Sequence, residues 1–157
     1  MAKTTFQGPV VSKAGFFNTG PGNVVDADSS VALTVDTHAG RIVHNDAAGA
    51  VTYTLPATNA NSDSAIAGPG ADLNNLSNVG ARFEIFNSIT KTGDLVVQVA
   101  NATDVMIGSA LFIDDSSDNV VGFETASTSD TITLNGDTTG GVTFAKIECT
   151  VIASGKW

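Results

Sequence analysis

Charge is scarce in this sequence, and positive charge is the scarcer kind. Charged residues make up 15% of the 157 residues, and 7 Lys and Arg stand against 16 Asp and Glu, so the formal net charge is −9. An acidic surface repels phosphate groups. We therefore expect no nucleic-acid partner, and no attachment to an anionic membrane for the same reason.

Cysteine is almost absent, and long apolar runs are absent. Cys149 is the only cysteine, so no disulfide can form within the chain, which argues against a small disulfide-stapled secreted scaffold. No apolar run approaches the roughly 18 residues of a membrane-spanning helix. The first residues lack the apolar core of a signal peptide. We expect a soluble product made in a cytoplasm.

What the sequence does contain is a series of short β-type runs separated by turn residues. Hydrophobic residues make up 42% of the chain, and no stretch shows a sustained helical period. This pattern predicts an all-β fold, an antiparallel β-sandwich or a barrel. No internal repeat can be aligned, so a solenoid or propeller is not expected. The predicted strands lie at 31–35, 41–44, 50–55, 81–86, 94–100, 110–113, 120–123, 130–135 and 142–153.

The chain divides into an extended N-terminal arm, residues 1–30, and a β-rich body domain, residues 31–157. Gly and Pro interrupt the arm every few residues, and exposed apolar side chains between them would be a liability unless they dock on another surface. The candidate anchors for such a contact are Phe6, Val10, Val11, Phe16 and Phe17. A long loop at 57–80 is a second place for surface contacts.

No residue set indicates catalysis. His38 and His44 are the only histidines, and the sequence has no Gly-x-Ser-x-Gly elbow that would place a serine nucleophile beside one of them. Cys149 shares a strand face with Ile147 and Val151, which predicts a buried thiol. We therefore predict no catalytic residue, no cofactor and no enzymatic activity.

The densest acidic cluster is Asp114, Asp115 and Asp118. Carboxylates of this kind suit Ca²⁺, but the spacing is not that of an EF-hand loop. A hairpin turn solvated by its own Asp and Ser side chains explains the cluster equally well. Both interpretations stay open, and no metal residue is assigned.

The sequence resembles the head decoration (cement) and virion structural proteins of tailed bacteriophages. The segments that carry this resemblance are Ala2–Val10, Ser12–Phe16, Gly40–Val43, Thr52–Ala57, Gly80–Phe83, Val99–Gly108, Asp114–Asp115, Ser129–Gly141, Lys146–Glu148 and Gly155–Trp157. The resemblance spans nearly the whole chain, and its motifs are structural ones.

The resemblance implies a β-rich homotrimer on the capsid surface of a virion. Its partner would be the major capsid protein, and its N-terminal arm would reach over the shell. Two other classes of function stay open. A tail-fibre or receptor-binding module for host glycans would need exposed aromatic side chains, and the 57–80 loop has none. A virion-borne hydrolase would need a convergent acid–base pair.

Overall fold

The computed structural model describes residues 24–59, 78–114 and 119–157, which are mostly strands with a single helical turn. The all-β prediction is confirmed. The strands are β1 (Val24–Asp26), β2 (Val31–Ala32), β3 (Ile42–Asn45), β4 (Val51–Thr54), β5 (Arg82–Asn87), β6 (Leu95–Gln98), β7 (Ser109–Asp114), β8 (Asn119–Glu124), β9 (Thr131–Leu134) and β10 (Ala145–Thr150), and the helical turn is α1 (Val35–His38).

Consecutive strands alternate between two open four-stranded sheets. The first sheet has the order β1-β3-β5-β10 and the second β2-β4-β6-β9, while β7 and β8 pair only with each other. The first three strands of each sheet are parallel, and β10 and β9 join them antiparallel. The chain thus winds through three stacked coils and closes each sheet with a reversed strand.

Two of the predictions about strand arrangement are wrong. The sheets are open, so they form no barrel, and four of the strand pairs are parallel where we predicted antiparallel pairing. Side chains alternate between the two faces in both kinds of ladder, so local alternation does not reveal which strand a run pairs with. The alternation of parallel strands between two sheets is a long-range feature that the local patterns do not reveal.

Unequal connections explain why the sequence shows no repeat. Val24 pairs with Ile42, only 18 residues later, whereas Ile42 pairs with Glu84 after a further 42 residues. The coils therefore stack in register although their lengths differ more than twofold. A search for a fixed period cannot detect such coils.

One hydrophobic cluster contains the inward side chains of both four-stranded sheets. Val51, Tyr53 and Leu55 are buried on one side, as their period-two spacing predicts. Phe83 and Ile85 are buried on the other. The same cluster holds Ile147, Cys149 and Val151, which confirms the shared buried face predicted for them.

The final residue, Trp157, belongs to this core. Its indole is 4% exposed and meets the ring of Phe83 edge-on, with the ring centroids 5.6 Å apart. Its backbone N–H donates to the carbonyl of Val105 at 2.9 Å, and its carbonyl accepts from Ile107 N–H at 2.8 Å. Trp157 therefore closes the end of the core beside β10.

The seven residues 24–30, which fall inside the predicted arm, contact the sheets. Strand β1 pairs with β3, Ala27 is buried, and Ser30 Oγ accepts a hydrogen bond from Thr52 N–H at 2.9 Å. The remainder of the predicted arm, residues 1–23, lies outside the described residues. The five anchors Phe6, Val10, Val11, Phe16 and Phe17 are all in that part.

Candidate interaction surface

A groove of about 450 Å³ opens where the hairpin β7–β8 meets the last strand of each sheet. Its walls are largely apolar, and three of the lining side chains, those of Ile107, Phe123 and Ile152, are at least 40% exposed. Met106, Ile132 and Leu134 complete the apolar lining. Such a concave apolar surface on an acidic protein is suited to binding another apolar surface.

Backbone hydrogen bonds hold the base of the hairpin against the body. Thr125 N–H donates to the carbonyl of Gly108, and Gly108 N–H donates to Thr125 Oγ1, both at 3.0 Å. Met106 N–H donates to the carbonyl of Ser129 at 2.7 Å. The position of the hairpin, and hence one wall of the groove, is fixed by these contacts.

The outer part of the hairpin is apolar and exposed. Leu111 is 75% exposed and Val120 is 62% exposed, and Val121 and Phe123 are also exposed. A two-stranded hairpin is marginally stable on its own in water. The hairpin and the groove together form a continuous exposed apolar surface, and the sequence signal for it was the pair of predicted strands at 110–113 and 120–123.

The groove has no reactive nucleophile. Cys149 lines it, but burial, with a smaller contribution from the charge of Glu148, raises the pKa of its thiol to about 12. The thiol is therefore protonated at neutral pH, whereas nucleophilic attack requires the thiolate.

An ion-pair network flanks the groove on the outer face of β5 and β10. Arg82 Nη2 lies 2.6 Å from Glu148 Oε2, and Lys146 Nζ lies 2.9 Å from Glu84 Oε1. The hydrogen bond from Lys146 is the main reason why the pKa of Glu84 is below its usual value. These four partly exposed side chains keep the strand face hydrophilic next to the apolar groove.

The structure separates the two histidines. His38 is buried, and its Nδ1 accepts a hydrogen bond from Thr34 N–H at 2.9 Å, so it stabilises the turn at α1. His44 lies on β3, where Nδ1 is 3.1 Å from Asp26 Oδ1 and Nε2 is 2.8 Å from Ser88 Oγ. Sequence reasoning missed this Asp–His–Ser contact because the three residues are far apart in the chain.

The Asp–His–Ser contact lacks the surroundings that a hydrolytic triad needs. The Asp26 side chain is 67% exposed, whereas the orienting carboxylate of a triad is buried. Ser88 N–H, a possible oxyanion donor, already donates to the carbonyl of Asn45 at 3.0 Å. None of the three residues lines the groove.

We expect no serine-dependent hydrolysis at this contact. The wild-type chain, His44→Ala and Ser88→Ala should hydrolyse p-nitrophenyl acetate at the same slow rate, because the serine has neither a buried base nor an oxyanion site. Stopped-flow absorbance measures the release of p-nitrophenol. A stoichiometric burst that Ser88→Ala removes would reverse this conclusion and revive the hydrolase alternative.

Carboxylates converge at a place that the sequence did not indicate. Asp26, Asp28 and Asp46 each bring a carboxylate oxygen within 4.8 Å of the others. A side-chain hydrogen bond with Asp28 and repulsion from its charge raise the pKa of Asp46. Hydrogen bonds from the backbone and side chain of Asp46 lower the pKa of Asp28. All three residues are exposed. The cation site considered at Asp114, Asp115 and Asp118 lies largely outside the described residues, which include only Asp114.

Comparisons with protein-family models, with curated proteins and with solved structures find no match for this chain. Within the described residues, no helix has the length and apolarity needed to cross a bilayer.

Proposed function

We propose that this chain is a capsid decoration (cement) protein that binds the outer surface of a phage head and bridges neighbouring capsomers. The observation that carries the proposal is the exposed apolar surface of the hairpin and groove, which is built for contact and has no reactive group. The sequence resemblance to head decoration proteins points to the same class.

In this proposal the two four-stranded sheets stack as a sandwich, and the residues before β1 form an extended arm. The anchors Phe6, Val10, Val11, Phe16 and Phe17 contact the major capsid protein. The chain acts as a homotrimer on the capsid surface after synthesis in the host cytoplasm. It uses no cofactor and catalyses no reaction.

The physical requirement on such a protein is adhesion. Packaged DNA pushes a capsid outward, and a subunit that covers a seam between capsomers opposes this pressure through contact area. Backbone hydrogen bonds from an extended arm add to side-chain burial. Joining several copies multiplies weak contacts into high avidity, and the acidic body keeps the particle soluble.

The copy number of this chain in purified virions tests the proposal. We expect a ratio to the major capsid protein close to a simple near-unit value, measured by quantitative mass spectrometry of caesium-banded particles. A cement protein must cover every equivalent seam of the shell. A handful of copies per particle would contradict the proposal and indicate a fibre or tail component.

A further inference from the structure

We propose that the groove receives residues 1–23 of a second copy of this chain, so that copies join head to tail in a closed ring. This inference rests on the proposed function, which requires the chain to connect neighbouring subunits. A segment that docks on its own body would connect none, so the occupant is a segment of a second copy. Four observations on the described residues lead to it.

The first observation is that two edge strands, one from each four-stranded sheet, line the groove. Strands β10 and β9 are the last strands of their sheets, and among the described residues no strand pairs with their outer sides. An open edge offers backbone donors and acceptors to an added extended segment. The groove thus provides a ladder edge beside an apolar surface.

The second observation is an unpartnered donor at the same place. Trp157 lines the groove, and its Nε1 is buried and has no hydrogen-bond partner within the described part of the chain. A buried N–H without an acceptor destabilises the folded chain until an acceptor reaches it. This end of the core is therefore incomplete in the isolated body.

The third observation is charge complementarity between the two parts of the sequence. Residues 1–23 contain Lys3 and Lys13 and no acidic residue, so their side chains carry a charge of +2. All 16 acidic residues and the five other cationic residues lie in 24–157, which gives that part −11. Glu124 and Glu148 lie along the groove. Of the three parts outside the described residues, 1–23 is therefore the one whose charge fits the groove, because 60–77 and 115–118 contain acidic residues and no Lys or Arg.

The fourth observation is where the segment leaves the body. Val24 begins β1, one edge of the first sheet, and β10 forms the opposite edge. Three strand spacings, about 14 Å, separate these edges, and 23 residues can extend about 75 Å. Each copy can thus donate from one edge and accept at the other, which is a head-to-tail contact. Such contacts form a closed ring when the rotation between neighbouring copies closes, and an open filament when it does not.

The apolar anchors supply the side chains for the groove. Phe16 and Phe17 lie seven and six residues before the last residue of the segment, Asn23. They are the first large apolar residues met before β1, so they are the ones placed to fill a neighbouring groove. This contact narrows the capsid anchors of the proposed function to Phe6, Val10 and Val11, which lie farther from the body, because Phe16 and Phe17 are then covered by the neighbouring copy.

The experiment measures the mass of the full-length chain by sedimentation equilibrium. The homotrimer of the proposed function sets the size of the ring, so we expect three times the 15.9 kDa of one chain at micromolar concentration. The double variant Phe16→Ser/Phe17→Ser and the groove variant Ile152→Glu should both sediment as monomers, with a dissociation constant raised at least about tenfold. The matched control is Ile89→Glu, an exposed isoleucine outside the groove, which should leave the ring intact.

Hydrogen exchange on the same samples locates the contact. We expect slow amide exchange in β9 and β10 of the ring and faster exchange in the two monomeric variants, whose circular dichroism should match that of the wild type. Lys13→Glu, which keeps every apolar anchor, provides a second arm variant and should weaken the ring through charge alone.

Three results would overturn the inference. The first is a wild-type chain that sediments as a monomer. The second is a ring that persists in both the arm variant and the groove variant. Slow exchange of β10 in a monomer would show that the segment docks on its own body. Head binding by a monomeric chain would overturn the ring and the homotrimer but leave the cement role intact. A stable ring that binds no heads would overturn the cement role alone.

Discussion

Deleting residues 2–17 should abolish binding to phage heads while the sheets stay folded. The deletion removes all five proposed anchors, and it ends before residue 24, so it takes away none of the described strands or core residues. Without the anchors the body loses both the apolar contacts and the extended backbone that would add to a neighbouring sheet. We expect less than about one tenth of wild-type binding, since the anchors contribute several kcal/mol together.

Co-sedimentation of purified chain with heads that lack it measures this effect. A triple variant, Thr4→Ala/Thr5→Ala/Ser12→Ala, is the matched control, because it changes the same segment and keeps every apolar anchor. The control should bind as the wild type does. Full binding by the truncated chain, with unchanged circular dichroism, would refute the role of the arm.

Replacing Asn87 by alanine should lower the free energy of unfolding by about 2–3 kcal/mol. Asn87 and Asn45 are fully buried neighbours in register on parallel strands β5 and β3. Asn45 Nδ2 donates to Asn87 Oδ1 at 2.7 Å, and Asn87 Nδ2 donates to the carbonyl of Ile89. The alanine leaves a cavity and breaks both bonds in a region that water does not reach.

The same network reaches the second sheet, because Tyr53 Oη on β4 donates to the carbonyl of Ala27, next to β1, and lies 3.4 Å from Asn45 Oδ1. Urea unfolding of Asn45→Ala, Asn87→Ala and the double variant measures the coupling. We expect the double variant to lose clearly less stability than the sum of the single variants, since each change breaks the shared bond. Additive losses would show that the two amides do not act as a pair.

The individual strands could be predicted from the sequence because each is a local pattern. The alternation of Val51, Tyr53 and Leu55, or of Ile147, Cys149 and Val151, places one face in the core whatever the partner strand is. Strand β1 was missed because three residues, Val24–Asp26, are too few to show a period among the neighbouring Gly and Pro.

The candidate site was less predictable than the strands. The groove depends on residues from several separate segments, and only the chain path brings Ile107, Ile132 and Ile152 together. The contact of His44 with Asp26 and Ser88 likewise joins residues 18 and 44 positions apart. Predicted anchors in residues 1–23 remain predictions, because that part lies outside the described residues.

The sequence by itself determined the all-β class and the inward faces of the strands, since composition and two-residue alternation act locally. Only the tertiary structure decided which strands pair and that several pairs are parallel. It also decided that strands β1 to β6 alternate between two sheets, and that an apolar groove opens at the last strand of each sheet. Pairing depends on which distant segments meet. Because the paired residues are 18 positions apart in one coil and 42 in the next, the sequence shows no fixed spacing from which the pairing could be predicted.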